Sequence, residues 1–211
     1  LDKIVRAKRV RLLTSPREVF TSKDMWAIAI GYFFVVGLSS VFMSWLPSYL
    51  VNVKHFAIMK TAFVAAAPFA GTVVGNFFGG WFSDNVLGKR RKPMMMITAL
   101  STSIIMYTML SAPESPVLLG GLLFIAGVFL ALGYSMYMAY GMGRADSKTY
   151  PIAWSLVNTG GQAGGAVMPF VVGVILDYFS WDAVWLAIAI GSLICFAVVA
   201  TAVEPVDDPL I

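Results

Sequence analysis

The charged residues of this chain are crowded into short gaps between six long stretches that contain none. The charge-free runs are residues 25–53, 61–83, 93–113, 115–143, 149–176 and 183–203, each 21 to 29 residues long. A helix needs about 20 apolar residues to cross the hydrocarbon core of a bilayer, so each run can span it once. The sequence therefore predicts an all-α integral membrane protein with six transmembrane helices, over 25–52, 61–83, 93–112, 116–142, 150–176 and 182–203.

Composition argues against the soluble alternative. Hydrophobic residues make up 59% of the chain and charged residues only 12%, whereas soluble domains carry about 25% charged residues. A soluble helical fold would also rarely contain six consecutive runs of spanning length. Lipid is therefore the expected surroundings of these helices.

The basic residues predict the orientation of the bundle. Thirteen of the fifteen lysines and arginines lie before the first run, between the second and third, or between the fourth and fifth, and only Lys54 and Lys60 fall on the other side. Basic residues flank membrane helices mainly on the cytoplasmic side. We therefore expect both termini to be cytoplasmic, in an inner or plasma membrane. The net charge of +4 follows from this bias and gives no argument for nucleic acid, although a basic arm near the amino end would also suit anionic lipid headgroups.

Segments outside the runs complete the domain organisation. Residues 1–24 are expected to form a cytoplasmic linker, in which Ser15, Pro16 and Glu18 have the spacing of a helix start and predict a short surface helix. Residues 25–203 form the predicted bundle and residues 204–211 a short solvated cytoplasmic tail. Because the chain begins with leucine and not with methionine, we expect it to be a portion of a longer polypeptide.

The loop after the second run carries a distinctive pattern. It combines two glycines, an aspartate and a basic cluster: Gly80, Asp84, Gly88, Lys89, Arg90 and Arg91. This pattern resembles the signature loop of the major facilitator superfamily, although Asn85 stands where the family has a basic residue and one extra residue precedes Gly88. An aspartate near the membrane surface is costly unless paired, and the basic cluster offers partners. We expect the loop to act as a gate between two helices; simple anchoring would explain the basic residues but not the glycine and aspartate spacing.

Resemblance to that superfamily extends over most of the chain. Residues 45–50 are similar to the end of the seventh helix in its anion:cation symporter family, and the glycine-rich fifth run with Asn158 is similar to the eleventh helix. The superfamily has twelve helices in two halves joined by a cytoplasmic linker. The resemblance thus implies that 25–203 is the carboxy-terminal half, with an amino-terminal six-helix half as its partner. It further implies transport of a small organic anion, such as a sugar acid, by alternating access with symport of a cation or proton.

Glycines recur at four-residue spacing in the second and fifth runs. The second run has Gly71, Gly75 and Gly79, and the fifth pairs Gly160 with Gly164 and Gly161 with Gly165. Small residues at this interval let helix backbones approach closely in lipid. We therefore expect tight helix packing along both stripes.

Polar side chains within the runs are the candidate substrate ligands, because a polar group in an apolar medium needs a partner. They are Asn158, Gln162, Asn76, Ser40, Ser44, Tyr137 and Tyr134. Asn158 and Gln162 lie four apart and share a helix face, and the resemblance places a substrate-binding asparagine at Asn158. The alternative, that these groups bond between helices for structural reasons, stays open.

The runs contain no Asp, Glu, His, Lys or Arg, so proton coupling cannot reside in these helices. His55 and Cys195 each occur once, and no catalytic, metal-binding or phosphate-binding set can be assembled. The sequence therefore predicts neither an enzyme nor a cofactor. A stand-alone six-span channel or membrane scaffold acting as a homo-oligomer is the alternative function, and a lipid-modifying enzyme would need titratable groups at membrane depth.

Overall fold

The computed structural model describes residues 7–8, 11–88 and 90–205 of the 211. The elements are β1 (Ala7–Lys8), α1 (Pro16–Thr21), α2 (Lys23–Asn52), α3 (Ile58–Asn85), α4 (Lys92–Thr108), α5 (Pro116–Leu132), α6 (Tyr134–Gly143), α7 (Tyr150–Tyr178), α8 (Trp181–Thr201) and β2 (Glu204–Pro205). Among the described residues, six helical segments are long and apolar enough to cross a membrane; α4 with the 3-10 turn Met109–Ser111 forms the third, and α5 with α6 forms the fourth. The prediction of an all-α membrane protein with six spans is confirmed; β1 and β2 form only a two-residue parallel pair.

The helices begin and end where local chemistry favours it. The Ser22 side chain caps α2 by accepting a hydrogen bond from the N–H of Met25 (3.4 Å). Prolines occupy the first turn of α4, α5 and α7, where an N–H would have no intrahelical partner. After α2 the chain reverses at His55, which takes a left-handed φ of 53°. Helix α3 extends past its charge-free run to include Lys60 and Asp84, because a charge at the membrane surface ends the apolar run without ending the helix.

Two pairs of helices approach closely through the glycine stripes. A methyl group added to Gly71, Gly75 or Gly79 of α3 would collide with backbone carbonyls of α5. Gly160 and Gly164 of α7 lie in the same way against backbone carbonyls of α2. The predicted close packing is confirmed, and it produces the two most extensive helix contacts among the described residues, α2 with α7 and α3 with α5.

The fourth span is interrupted at Gly133, where the sequence predicts one continuous helix over 116–142. Gly133 has φ −102° and ψ 2°, and its carbonyl accepts a hydrogen bond from the N–H of Met136 (3.0 Å), three residues later. A Cβ atom at Gly133 would lie 2.7 Å from Oγ1 of Thr98 in α4, so glycine permits this close approach. The interruption places Tyr134 at the first position of α6.

The chain ahead of α2 and the first turn of α2 are held against one end of the bundle. Leu13 donates its N–H to the carbonyl of Arg144 (2.9 Å) and accepts from the N–H of Asp146 (3.1 Å). The Asp24 carboxylate pairs with the Arg144 guanidinium (3.1 Å) and accepts from the N–H of Val203 (3.1 Å). These contacts fasten the described part of the predicted linker to the α6–α7 loop and to the chain after α8.

Helix α1 begins after Ser15, whose side chain accepts the N–H of Glu18 (3.3 Å). The Glu18 carboxylate turns back to the N–H of Thr14 (2.7 Å), one residue before the cap. This backbone donor lowers the pKa of Glu18. Residues 1–6 and 9–10 of the predicted linker and residues 206–211 of the predicted tail lie outside the described residues.

Candidate functional site

A cavity of about 240 Å³ lies between α2, α3 and the junction of α5 with α6. Its polar wall is formed by Ser39, Thr72, Asn76 and Tyr134, and its remaining wall is uncharged and mainly apolar. Such a cavity suits a small ligand with several hydroxyl groups, because hydroxyl and amide side chains both donate and accept hydrogen bonds.

On the α3 side of the cavity, two polar residues stand one turn apart. The Thr72 hydroxyl donates to the carbonyl of Phe69 (2.7 Å), and the Asn76 amide donates to the carbonyl of Thr72 (3.1 Å). Both bonds stay within the helix. Each side chain keeps unused capacity for a ligand, because an amide has a second N–H and a carbonyl oxygen, and a hydroxyl has two lone pairs.

Tyr32 of α2 connects this cavity with α7. Its ring lies edge-on to that of Tyr134, with centroids 5.4 Å apart, and tilted against that of Tyr137, with centroids 5.6 Å apart. A Cβ atom at Gly161 of α7 would overlap the Tyr32 ring. Sequence reasoning missed Tyr32, although the criterion that selected Tyr134 and Tyr137, a polar side chain within an apolar run, would also have found it.

The two amides of α7 lie away from this cavity. Asn158 is half-buried and Gln162 is exposed. Within the described chain, neither side chain forms a hydrogen bond. In the most apolar window of α7 only 17% of residues are buried, against 61% in α2. These amides are therefore open to a ligand or to another part of the molecule.

The other predicted ligands are scattered. Ser40 is half-buried where α2 meets α7, while its neighbour Ser39, which was not predicted, lines the cavity. Ser44 is exposed one turn further along. Tyr137 is fully buried, with its hydroxyl 3.4 Å from Sγ of Cys195, so it packs within the bundle. Among the predicted residues, the cavity brings together Asn76 and Tyr134.

The loop between α3 and α4 carries an ion pair. Nη1 of Arg91 lies 2.7 Å from Oδ1 of Asp84 and also donates to the Ser83 hydroxyl (2.9 Å). The buried Ser83 in turn donates to the carbonyl of Arg90 (3.2 Å). Gly88 takes φ +59°, which favours glycine, and this lets the chain turn back towards α4. Asp84 and Arg91 thus tie the last turn of α3 to the start of α4.

The remaining predicted gating residues differ in what the structure says of them. Gly80 borders open space, since a Cβ atom there would meet nothing within 4 Å. The close approach to α5 is made by the preceding residue, Gly79. Lys89 lies outside the described residues.

Two residues that sequence reasoning missed cap neighbouring helices reciprocally. Glu204, predicted to lie in a solvated tail, is only 1% exposed and accepts the backbone N–H groups of Arg91 (2.9 Å) and Lys92 (2.7 Å). The Lys92 ammonium donates to the carbonyls of Ala200 (2.9 Å) and Ala202 (2.6 Å). The negative Glu204 lies at the amino end of α4 and the positive Lys92 at the carboxy end of α8, where the helix dipoles stabilise charges of these signs. Burial raises the pKa of Glu204, partly offset by its backbone donors.

Comparison with known proteins gives a consistent picture. Residues 28–210 match the family model of the Major Facilitator Superfamily. The probable galactarate/D-glucarate transporter GarP of Escherichia coli (strain K12) is 24% identical, over 85% of this chain and 42% of its own length. The probable galactarate/D-glucarate transporter GudP of Pseudomonas putida is 26% identical, over 76% and 36%. The glycerol-3-phosphate transporter of Haemophilus influenzae is 29% identical, over 78% and 38%.

The chain spans about two fifths of the length of the curated relatives it matches. These relatives are transporters and not enzymes, which confirms the expectation that the chain is not an enzyme. The resemblance in the α3–α4 loop and in the glycine-rich α7 agrees with a family match that covers most of the sequence. From its six membrane-spanning helices and this match, the chain belongs to the Major Facilitator Superfamily.

Proposed function

We propose that this chain is the carboxy-terminal six-helix half of a secondary transporter that moves a small organic anion, such as a sugar acid, by alternating access. One observation carries the proposal: the amides of Asn76 and Gln162 are exposed on the charge-free, mainly apolar parts of α3 and α7. A polar group that faces hydrocarbon is costly. These helix faces therefore suit a water-filled substrate path better than lipid.

The partner on that path would be an amino-terminal six-helix half. In their most apolar windows, α3 and α7 have only 28% and 17% of residues buried. Large apolar side chains on both helices are also exposed, including Phe77 at 73% and Phe170 at 72%. A second bundle would cover this surface while leaving the cavity between the halves, as expected when a substrate site lies at the interface of two repeats.

The two halves would divide the work of binding. The cavity beside α3 has hydroxyl and amide groups but no charged residue, so this half suits the hydroxyl groups of a sugar acid. The carboxylate of the substrate and the symported cation or proton would bind on the other half. The names of two relatives, which specify galactarate and D-glucarate, support this substrate class.

The α3–α4 loop would be the gate on the cytoplasmic side, where both termini also lie. The Asp84–Arg91 pair holds the ends of two helices together. Opening this end of the transporter would separate or rearrange that pair. The excess of basic residues on this side supports the orientation in an inner or plasma membrane.

Replacing Asp84 with asparagine is expected to shift the balance between inward-open and outward-open forms by up to about fivefold, since half-exposed ion pairs contribute at most about 1 kcal/mol. The shift can be measured from the labelling rates of single cysteines placed at the two ends of the cavity face, because Cys195, the one cysteine of these 211 residues, is buried. Asp146→Asn is the matched control, since this acid has no ion pair in the described chain. Unchanged labelling ratios in Asp84→Asn would remove the pair from the gate.

Asn158→Ala is expected to lower uptake by about three- to tenfold through loss of one substrate hydrogen bond. Folding and membrane insertion should be unchanged, because the side chain bonds to no described residue. Uptake of radiolabelled galactarate, glucarate and galactonate into proteoliposomes holding the full-length polypeptide measures the effect. Asn52→Ala, an exposed amide at the end of α2, should transport normally. Full uptake by Asn158→Ala would exclude this residue from the site, and no uptake of any sugar acid by the unaltered protein would contradict the substrate class.

A further inference from the structure

A second cavity, apolar and of about 350 Å³, lies along α2 where this helix crosses α7. Its wall is formed by Trp26, Ala29, Ile30, Phe33, Phe34 and Gly160, and it shares no residue with the cavity beside α3. Trp26 is 47% exposed and Ile30 42% exposed, so the groove opens to the surroundings. Gly160 forms part of its floor, where a Cβ atom would lie 2.5 Å from the carbonyl oxygen of Ala29.

The groove and the turn of α2 that precedes it together reach through about one membrane leaflet. Lys23, Trp26, Ile30 and Phe34 follow one another at three- and four-residue intervals and so share one face of α2. Phe34 lies eleven residues after Lys23, which is about 16 Å along a helix. Half the hydrocarbon thickness of a bilayer is about 15 Å. A lipid acyl chain that starts at the first turn of α2 would therefore fill the groove to about the bilayer midplane.

The mouth of the groove is basic and aromatic. The Trp26 indole N–H donates to the carbonyl of Phe20 (2.7 Å), which fixes the end of α1 beside the rim. Arg17 and Lys23 are both exposed, and neither forms an ion pair with a described residue. The two nearby carboxylates are engaged elsewhere, since Glu18 bonds to Thr14 and Asp24 pairs with Arg144.

We propose that this groove binds an anionic phospholipid, with one acyl chain along Ile30 and Phe33 and the headgroup between Arg17 and Lys23. The length from Lys23 to the end of the groove at Phe34 fits the acyl chain, and the cations at its mouth fit the phosphate. Helix α1 supports the same arrangement, because Val19 is fully buried against the protein while Phe20 is 53% exposed. Basic residues at the membrane surface attract anionic lipids, by about fivefold in affinity for each residue. The proposal concerns lipid and does not depend on what the protein transports.

Quenching of Trp26 by brominated lipids tests the proposal. The protein is reconstituted in phosphatidylcholine bilayers that contain increasing fractions of brominated phosphatidylglycerol or brominated phosphatidylcholine. The variant Trp26→Phe is measured in parallel, so that the signal of the other five tryptophans can be subtracted. We expect half-quenching of the Trp26 signal at a mole fraction of brominated phosphatidylglycerol at least about fivefold lower than that of brominated phosphatidylcholine. This preference should weaken at high salt.

Charge variants identify the site. Arg17→Gln with Lys23→Gln should abolish the preference, and Lys148→Gln, an exposed lysine of the α6–α7 loop at the same end of the bundle, should retain it. Equal quenching by the two lipids would overturn the proposal. Absence of Trp26 quenching by either lipid would also overturn it, because protein would then cover the groove, either the amino-terminal half or a second copy. Loss of the preference in Lys148→Gln would overturn the proposal as well, because it would show general attraction of anionic lipid to this surface and no site. The experiment measures no uptake, so none of these results bears on the proposed transport function, which the uptake assay tests separately.

Discussion

Lys92→Met is expected to lower the free energy of unfolding by about 3–5 kcal/mol, because removing one partner of a buried charged set leaves the other uncompensated. Lys92 is 1% exposed and caps the end of α8 through the carbonyls of Ala200 and Ala202. Methionine has similar length but cannot donate to these carbonyls. It also removes the positive charge beside the buried Glu204, whose carboxylate caps α4. Unfolding in mixed detergent micelles of rising SDS content, followed by circular dichroism, measures the loss.

Two further variants make this result decisive. In the double variant Lys92→Met with Glu204→Gln, neither charge remains buried, so part of the lost stability should return. Lys60→Met changes an exposed lysine of α3 in the same way and should stay within about 0.5 kcal/mol of the original protein. If Lys92→Met were as stable as Lys60→Met, the reciprocal caps would not hold α4 and α8 together.

Two adjacent glycines of α3 should respond in opposite directions to alanine. Gly79→Ala is expected to destabilise the bundle by about 1–3 kcal/mol, because its new methyl group would overlap the backbone carbonyl of Leu132, which no rotamer change can move. Gly80→Ala places the same group in open space and should be neutral or stabilising by up to about 1 kcal/mol, since alanine is the better helix former. The same unfolding assay compares them within one turn of one helix.

The outcome also bears on the gate. Similar losses in both variants would contradict the assignment of the α3–α5 contact to Gly79 and would indicate that the end of α3 tolerates no side chain at all. If Gly80→Ala kept full stability but lost transport, that result would support the predicted gating role of Gly80.

The number of spans was readable from the sequence because bilayer thickness fixes helix length and because charge is excluded from the membrane interior. The break at Gly133 could not be predicted from the sequence, because the residues around it are apolar. Its cause is the close approach of Gly133 to Thr98 of α4, which only the fold brings about. The burial of Glu204 could not be predicted for a similar reason. An acid after an apolar run normally faces water, and only the fold brings the first N–H groups of α4 to it.

Only part of the candidate site could be predicted from the sequence. In a wholly apolar helix, the sequence does not indicate which residues face the interior of the bundle. Asn76 and Tyr134 line the cavity, as the search for polar groups predicts. In α2 the same criterion predicts Ser40 and Ser44, whereas the cavity lies on the side of Ser39. The polar residues of a membrane helix thus identify candidates, but the packing of its neighbours decides which of them face a common space.

The contacts that fasten the chain ahead of α2 to the bundle determine which residues move with the bundle as a rigid body. Leu13 and Asp24 are both bound to the α6–α7 loop at Arg144, and Ala7–Lys8 pairs with Glu204–Pro205, so these segments move together with the six helices. A pivot between this bundle and any preceding polypeptide would then have to lie ahead of Ala7. A spin label on the exposed Arg17 would report the tilt of the whole body as faithfully as one placed on a transmembrane helix.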